Sequence, residues 1–309
     1  MIRIGMMKTG LHGYLFGGCL SPYDRYEFLR GGGQLNILES DFDPVIPFPD
    51  TKVVKVWDPE PERAEQFARA FSCEVASDPE DASEDVDAVF LAETSGTGED
   101  HPELAAVPIR KGVPTFVDKP LADSVEHARA ILEMAEARGV PVMSSSLLRY
   151  AKANERLREL NLGEVRLASV TAGGGVGKVV RGIHACSALM GFWGPGVEAV
   201  RTLPLGGAGE VVFLRYKDGR AGLLKFLRGV RAEFQVTVYT SKGIFSEGTP
   251  MPEYRYGAVR VARRFVEMVK TGEPPIPYGE MLEEIAVLEA AKMSLDEGRE
   301  VEVSELTGG

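Results

Sequence analysis

Residues 2–13 read Ile-Arg-Ile-Gly-Met-Met-Lys-Thr-Gly-Leu-His-Gly. The apolar run at residues 2–6 predicts a buried strand, and the turn after it carries Gly10 and Gly13 at the second and third positions of G-x-G-x-x-G. Lys8 holds the first position. A glycine-rich turn of this kind lets backbone N–H groups approach a pyrophosphate at a helix N-terminus, and a plain strand-to-helix turn fits the same pattern.

Short apolar runs alternate with helical patterns through the first half of the chain. Further strands are predicted at residues 53–57, 86–92, 115–117 and 140–144, and amphipathic crossover helices at residues 60–71 and 124–138. This alternation predicts an α/β domain with a doubly wound parallel sheet. Its ligands are expected at the carboxyl ends of the strands, where the loops at Gly10, Asp58, Glu93 and Lys119 fall.

The pattern changes after Leu147. Strands are predicted at residues 164–171, 210–216, 222–227 and 234–240, and Asp218-Gly219 is a hairpin signal. Helices predicted at residues 257–270 and 278–296 can cover one face of this sheet. We therefore predict a Rossmann-type domain over residues 1–146 and an α+β domain with a large, mostly antiparallel sheet over residues 147–309. A sheet covered on one face predicts a homodimer or homotetramer.

The segment from Pro22 to Asp50 is too long for a simple crossover loop. It carries Gly31-Gly32-Gly33 and an acidic patch at residues 39–43. We interpret it as an insertion that covers the ligand crevice or faces a partner.

Composition narrows the classes of partner. The 309 residues carry a formal charge of −11, which disfavours nucleic acid and anionic membrane surfaces. No membrane span or secretory leader is predicted, so a cytoplasmic location is expected. The three widely spaced cysteines predict reduced thiols, and no His, Asp or Glu cluster has metal-ligand spacing.

Asp58 follows the predicted strand at residues 53–57. An acidic side chain there can accept hydrogen bonds from an adenosine ribose and repels a 2′-phosphate, which favours NAD over NADP. The alternative is that Asp58-Pro59 only starts the next helix as a cap.

Lys119 follows a strand and precedes Pro120, so we expect it to point into the crevice; a solvated turn lysine is the alternative. His184 is predicted to lie in a helix with Arg181 and Ser187 on the same face, which suits an acid/base histidine. A core histidine with its hydrogen bonds satisfied is the alternative. His101 edges the crevice or caps a helix, and His12 lies inside the glycine-rich turn.

Taken together, these residues resemble the Gfo/Idh/MocA family of glucose–fructose oxidoreductase and inositol dehydrogenase relatives. The resemblance rests on the turn at Gly10 and Gly13, on Asp58, on Asp118-Lys119-Pro120 where the family has E-K-P, and on Gly182-x-His184. It implies an NAD-binding Rossmann domain, a second domain whose open sheet often mediates oligomers, and oxidation or reduction of sugars, cyclitols or related polyols.

By position, the resemblance implies that Lys119 hydrogen-bonds the reacting hydroxyl and the nicotinamide ribose. His184 would accept the hydroxyl proton as hydride leaves for the nicotinamide. The implied substrate-binding residues are Arg181, Tyr150, Arg149 and Ser187. The implied cofactor-binding residues are Lys8, Thr9, Gly10, Leu11, His12, Gly13, Asp58, Glu93, His101 and Lys119.

Three positions depart from the family pattern: Lys8 replaces the first glycine, and Val180 and Ser187 replace frequent acidic residues. We hypothesise that Arg181 compensates by pairing with a carboxylate or phosphate of an acidic substrate. Two other functions stay open at this point: a non-catalytic nucleotide- or sugar-binding regulatory protein, and a glycoside hydrolase that uses NAD transiently.

Overall fold

The computed structural model describes residues 1–34, 47–92, 97–173, 179–230 and 234–308, and leaves the side chains of residues 179–181 undescribed. These residues fold into two compact units. Unit 1 comprises Met1–Ala122, His127–Ser145 and Ala258–Pro277. Unit 2 comprises Asp123–Glu126, Ser146–Gly257 and Tyr278–Gly309.

Unit 1 contains a parallel six-stranded sheet in the order β3-β2-β1-β4-β5-β6. The strands are β1 (Ile2–Met7), β2 (Thr51–Trp57), β3 (Glu74–Val75), β4 (Ala88–Leu91), β5 (Thr115–Val117) and β6 (Val142–Met143). This order brings the ends of β1, β4 and β5 together in the middle of the sheet. The predicted doubly wound α/β architecture is confirmed.

The first half of the chain contributes the helices α1 (Leu11–Leu20), α2 (Arg25–Arg30), α3 (Pro61–Phe71), α4 (Pro79–Ala82), α5 (His101–Arg110) and α6 (Val125–Arg138). Helix α1 packs closely on α3: a Cβ atom at Gly17 would lie 2.8 Å from the ring of Phe71 and 3.2 Å from that of Phe67. The absence of a side chain at Gly17 therefore permits the close contact between these two helices.

Unit 2 contains a seven-stranded sheet in the order β12-β11-β7-β10-β9-β8-β13. The strands are β7 (Val165–Gly173), β8 (Val197–Pro204), β9 (Gly209–Tyr216), β10 (Ala221–Leu227), β11 (Phe234–Thr240), β12 (Gly243–Thr249) and β13 (Val301–Glu302). Strands β7 and β10 pair in parallel and the other neighbours pair antiparallel, as the prediction of a mostly antiparallel sheet requires.

The remaining helices are α7 (Lys152–Glu159), α8 (Val179–Trp193), α9 (Tyr254–Thr271), α10 (Tyr278–Glu297) and α11 (Ser304–Thr307), with short 3-10 helices at Leu147–Tyr150, Gly206–Ala208 and Met251–Glu253. Helix α10 packs against β8, where the Thr202 hydroxyl donates to the carbonyl of Ala291 at 2.7 Å. Ser294 Oγ accepts a hydrogen bond from the Thr202 N–H at 2.9 Å.

Residues 258–277 lie in unit 1 although they come late in the chain. Phe265 packs edge-on against Phe90 and Phe116, with ring centroids 5.3 and 6.2 Å apart. The two units are therefore not two uninterrupted halves of the sequence, and a domain boundary at residues 146/147 stays a prediction.

Three further features concern only the described residues. None of their helices is long and apolar enough to cross a membrane. No group of three or more His, Cys, Asp or Glu side chains among them is placed to hold a metal ion. Cys19, Cys73 and Cys186 are free thiols. Within the predicted insertion, residues 35–46 lie outside the described part of the chain.

Candidate functional site

The turn after β1 keeps the backbone conformation that the glycine fingerprint requires. Lys8 has φ of 62°, in the left-handed region that glycine usually occupies and that costs other residues roughly 1–2 kcal/mol. Its N–H donates to the carbonyl of Trp57 at 2.8 Å, and its ammonium pairs with Asp100 at 2.6 Å. The turn therefore forms in spite of the lysine.

Gly10 and Gly13 shape the start of α1. Gly10 is the N-cap residue and supplies no side-chain cap. A Cβ atom at Gly13 would lie 3.1 Å from the carbonyl oxygen of Lys8. This close approach of helix and turn, together with the uncapped N-terminus, fits an anionic pyrophosphate.

Asp58 braces the turn from the end of β2. The side chain is only 5% exposed, and its Oδ2 accepts hydrogen bonds from the N–H and the hydroxyl of Thr9 at 2.8 and 2.7 Å. Its Oδ1 accepts from the N–H of Glu60 at 2.9 Å, and Glu60 is the N-cap residue of α3. Asp58 is therefore not the N-cap of α3, although it contacts the residue that is. These contacts fill three of about four acceptor positions of a carboxylate, which leaves room for a ligand hydroxyl.

Asp118 connects the turn to the end of β5. It is fully buried, its Oδ2 lies 2.6 Å from His12 Nδ1, and its Oδ1 accepts from the Lys119 N–H at 2.7 Å. Burial acts to raise the pKa of Asp118, but the charges and hydrogen bonds of His12 and Lys119 hold it below its ordinary value. Because an ionised carboxylate only accepts hydrogen bonds, the proton between the two side chains resides on His12 Nδ1.

Lys119 is only 4% exposed, so the solvated-lysine alternative does not describe this structure. It lies two residues after the end of β5, at the carboxyl edge of the sheet where this class of fold binds its ligands.

His101 opens α5 and is completely buried. Burial lowers the pKa of His101, so its imidazole is neutral. Its Nδ1 lies 3.2 Å from the carbonyl oxygen of Leu121 and therefore carries the proton. Its Nε2 is an acceptor without a partner among the described residues. A buried acceptor left unpaired costs about 1–3 kcal/mol, which a ligand N–H or O–H would recover. The remaining predicted cofactor residue, Glu93, lies outside the described residues.

In unit 2, His184 lies half-buried on α8. Its Nδ1 is 2.7 Å from the hydroxyl of Ser146, which also accepts a hydrogen bond from the N–H of Leu148 at 3.1 Å. The edge of the imidazole meets Phe234, with ring centroids 5.6 Å apart. Ser146 and Phe234 together fix the orientation of a histidine suited to proton transfer.

Two of the predicted substrate-binding residues join a buried polar network. Arg149 donates to Glu284 at 2.7 Å and also pairs with Glu280. The Ser187 hydroxyl donates to the other oxygen of Glu284 at 2.8 Å. Burial raises the pKa of Glu284, while Arg149 and Ser187 oppose that rise.

The other two predicted substrate-binding residues are Tyr150 and Arg181. Tyr150 ends the 3-10 helix that begins at Leu147 and is half-buried. Arg181 belongs to α8, but its side chain is undescribed, as is that of Val180. Substrate binding by these four residues stays a prediction.

The sequence did not single out Asp118 or Ser146 as functional residues. Asp118 was available as an acidic neighbour of Lys119, and Ser146 as the last of three serines after β6. Their partners lie 106 and 38 residues away along the chain, so no local pattern marks either pair.

Part of the chain matches a known protein family. Residues 37–146 match the model of the GFO_IDH_MocA family, described as an oxidoreductase family with an NAD-binding Rossmann fold. The chain is 33% identical over 125 residues to scyllo-inositol 2-dehydrogenase (NAD(+)) of Bacillus subtilis, covering 39% of this chain and 36% of that protein. It is 33% identical over 119 residues to inositol 2-dehydrogenase 4 of Saccharopolyspora erythraea, covering 36% and 34%. The matched segments thus span about a third of these relatives.

Solved structures resemble the whole chain. GenD2 from gentamicin A biosynthesis, in complex with NAD, superposes with a TM-score of 0.76 at 21% identity, covering 97% of this chain and 96% of that one. Scyllo-inositol dehydrogenase of Lactobacillus casei, with bound NAD(H) and scyllo-inositol, gives a TM-score of 0.77 at 14% identity, covering 98% and 99%. At these identities the likeness shows the fold, and it confirms the predicted fold class.

Proposed function

Residues 37–146 match the model of the Gfo/Idh/MocA oxidoreductase family, and on that premise we propose that the protein is an NAD-dependent oxidoreductase acting on a CH–OH group of a small sugar-like substrate. The observation that carries the proposal is the turn after β1. There Lys8, at the first position of the fingerprint, adopts a left-handed conformation, and the N-cap residue Gly10 supplies no side-chain cap to α1.

The described residues fit a dinucleotide in three ways. Gly10 and Gly13 leave room for a pyrophosphate to approach the N-terminus of α1. Asp58 keeps acceptor capacity for a ribose hydroxyl, and its charge disfavours a 2′-phosphate, which supports NAD over NADP. The unpaired Nε2 of His101 can accept a hydrogen bond from a ligand. The bound nicotinamide would supply the hydride chemistry.

Lys119 and His184 are the proposed catalytic residues. Lys119 would donate a hydrogen bond to the reacting hydroxyl, and its burial at the end of β5 restricts its orientation. His184 would accept the hydroxyl proton through its ring, whose Nδ1 side is occupied by Ser146. Each role is supported by the side chain's own surroundings and by its position in the resemblance.

A cyclitol or related polyol is the proposed substrate class, because the matched relatives are named inositol dehydrogenases. Substrate binding by Arg149, Tyr150, Arg181 and Ser187 belongs to this proposal. A homodimer or homotetramer and a cytoplasmic location remain predictions from the sequence.

The test is NADH formation from NAD with a panel of neutral cyclitols, aldoses and uronic acids. We expect turnover with at least one cyclitol or sugar, and a loss of about a hundredfold or more in Lys119→Ala and in His184→Ala. The exposed residue His127 on α6 supplies the matched control, His127→Ala.

Two outcomes would contradict the proposal. Nucleotide binding without NADH formation across the panel would indicate a binding protein. Release of sugar from a glycoside without net NADH formation would indicate a hydrolase.

A further inference from the structure

A buried negative charge lies beside the turn that is proposed to receive the cofactor's anionic pyrophosphate. Asp118 is completely buried, and it contacts His12, the second residue of α1. The proposed pyrophosphate site is the N-terminus of that same helix. An uncompensated carboxylate at this place would be costly to bury and would repel the ligand.

Asp118 nevertheless has a clear role in the fold. Its Oδ1 accepts the Lys119 N–H at 2.7 Å, and its backbone N–H donates to the carbonyl of Leu91 in β4 at 2.9 Å. The carboxylate thus fixes the peptide that carries the proposed catalytic lysine. The negative charge of the same carboxylate disfavours the binding of an anion nearby.

His12 is placed to cancel that charge. Its Nδ1 lies 2.6 Å from Asp118 Oδ2, and its side chain is 12% exposed. Burial acts to raise the pKa of Asp118, and His12, followed by Lys119, lowers it below its ordinary value. Nearby, Lys8 pairs with Asp100 at 2.6 Å. At this turn, each of the two carboxylates thus has a basic side chain as its partner.

We propose that the His12–Asp118 pair is a charge-compensating element of the dinucleotide site: His12 neutralises the buried carboxylate that holds Lys119, and so permits an anionic pyrophosphate to bind at the first turn of α1. This inference rests on the proposed function. It predicts that His12 matters because Asp118 is present, so removing both charges harms binding less than removing His12 alone.

The experiment is a double-mutant cycle on cofactor affinity. The dissociation constant of NADH is measured for the wild type, His12→Gln, Asp118→Asn and the double variant. We expect His12→Gln to weaken binding by about tenfold or more, Asp118→Asn to have a smaller effect, and the double variant to bind more tightly than His12→Gln. A double variant as weak as, or weaker than, His12→Gln would overturn the proposal, as would wild-type affinity in His12→Gln.

Two fragments of the cofactor show whether His12→Gln acts at the pyrophosphate. ADP-ribose contains the pyrophosphate and adenosine does not, so His12→Gln should weaken ADP-ribose binding and leave adenosine binding unchanged. An equal loss for both probes would mean that the substitution only perturbs the fold. If His12→Gln fails to fold, His12→Asn is compared with the charge-conserving His12→Lys; equal affinities of these two variants would overturn the proposal.

The failure of this inference is distinguishable from the failure of the proposed function. If the wild type bound neither NADH nor NADPH, both the proposed function and the charge-compensation role would be contradicted. If the wild type bound NADH but the double variant bound no more tightly than His12→Gln, only the charge-compensation role would be contradicted. His127→Gln, on the exposed face of α6, controls for loss of a histidine as such.

Discussion

Replacing Asp58 with alanine should destabilise the protein before any cofactor is added. The substitution removes the acceptor of three hydrogen bonds, from the Thr9 N–H, the Thr9 hydroxyl and the Glu60 N–H. Thr9 and Asp58 are 3% and 5% exposed, so water replaces these bonds poorly. At about 1 kcal/mol for each bond, the free energy of unfolding should fall by about 3 kcal/mol.

The assay is urea unfolding of the nucleotide-free protein, with the slope compared between variants to confirm that the same transition is measured. Thr9→Val is the matched control, because it removes only the hydroxyl bond and should cost about 1 kcal/mol. If Asp58→Ala unfolded within about 0.5 kcal/mol of the wild type, in the range of ordinary surface substitutions, the bracing role of the carboxylate would be refuted.

The expected loss of stability in Asp58→Ala complicates a test of the ribose-binding role of Asp58. A loss of NADH affinity in Asp58→Ala combines a lost ligand contact with a weakened turn. Affinities should therefore be compared with those of Thr9→Val, which weakens the same turn and keeps the carboxylate. Only a loss beyond that of Thr9→Val reports the contact with the cofactor.

Single contacts at Ser146, Gly17 and Asp118 should have measurable effects. Ser146→Ala should lower kcat by about tenfold to a hundredfold with little change in KM, because the Nδ1 atom of His184 loses its hydrogen bond to Ser146. Ser146→Thr, which keeps a hydroxyl, should retain most of the wild-type kcat. Unchanged kinetics in Ser146→Ala would exclude a role for Ser146 in orienting His184. Gly17→Ala should lower the free energy of unfolding by about 1–3 kcal/mol in a thermal or urea melt, because the alanine Cβ would lie 2.8 Å from the ring of Phe71. This loss should exceed the gain from alanine's higher helix propensity. A stabilised variant would contradict the close packing of α1 on α3. Asp118 has a depressed pKa in the folded state, so its contribution to stability is present above the unfolded pKa of about 4 and is lost as the pH falls through the lower folded value. The stability gap between wild type and Asp118→Asn should close over that acid range in urea melts, and a gap independent of pH would contradict the assignment.

The fold could be predicted largely because its central strands are apolar runs of distinct length. Strands β1, β2 and β5 fall where the periodicity places them. Strand β12 was missed because Gly243–Thr249 contains two glycines and alternates weakly. It exists because it pairs in register with β11 as an edge strand, an interaction that composition does not encode.

The site was predictable where a side chain's role follows from its place after a strand. Asp58 and Lys119 are examples, since the carboxyl ends of parallel strands collect at one edge. The pairing of His12 with Asp118 joins residues 106 positions apart, and only the strand order β1-β4-β5 brings them together. The conformation of Lys8 was equally hidden, because nothing in the residue type indicates a positive φ.

The proposed NAD site at the turn after β1 is tested most directly by a titration of the protein with NADH and with NADPH, followed by tryptophan fluorescence. The chain has two tryptophans, so Trp193→Phe leaves Trp57, the residue before Asp58, as the only reporter. We expect saturable quenching by NADH, with NADPH binding more weakly. Binding of neither nucleotide, or tighter binding of NADPH, would contradict the assignment of an NAD site at this turn.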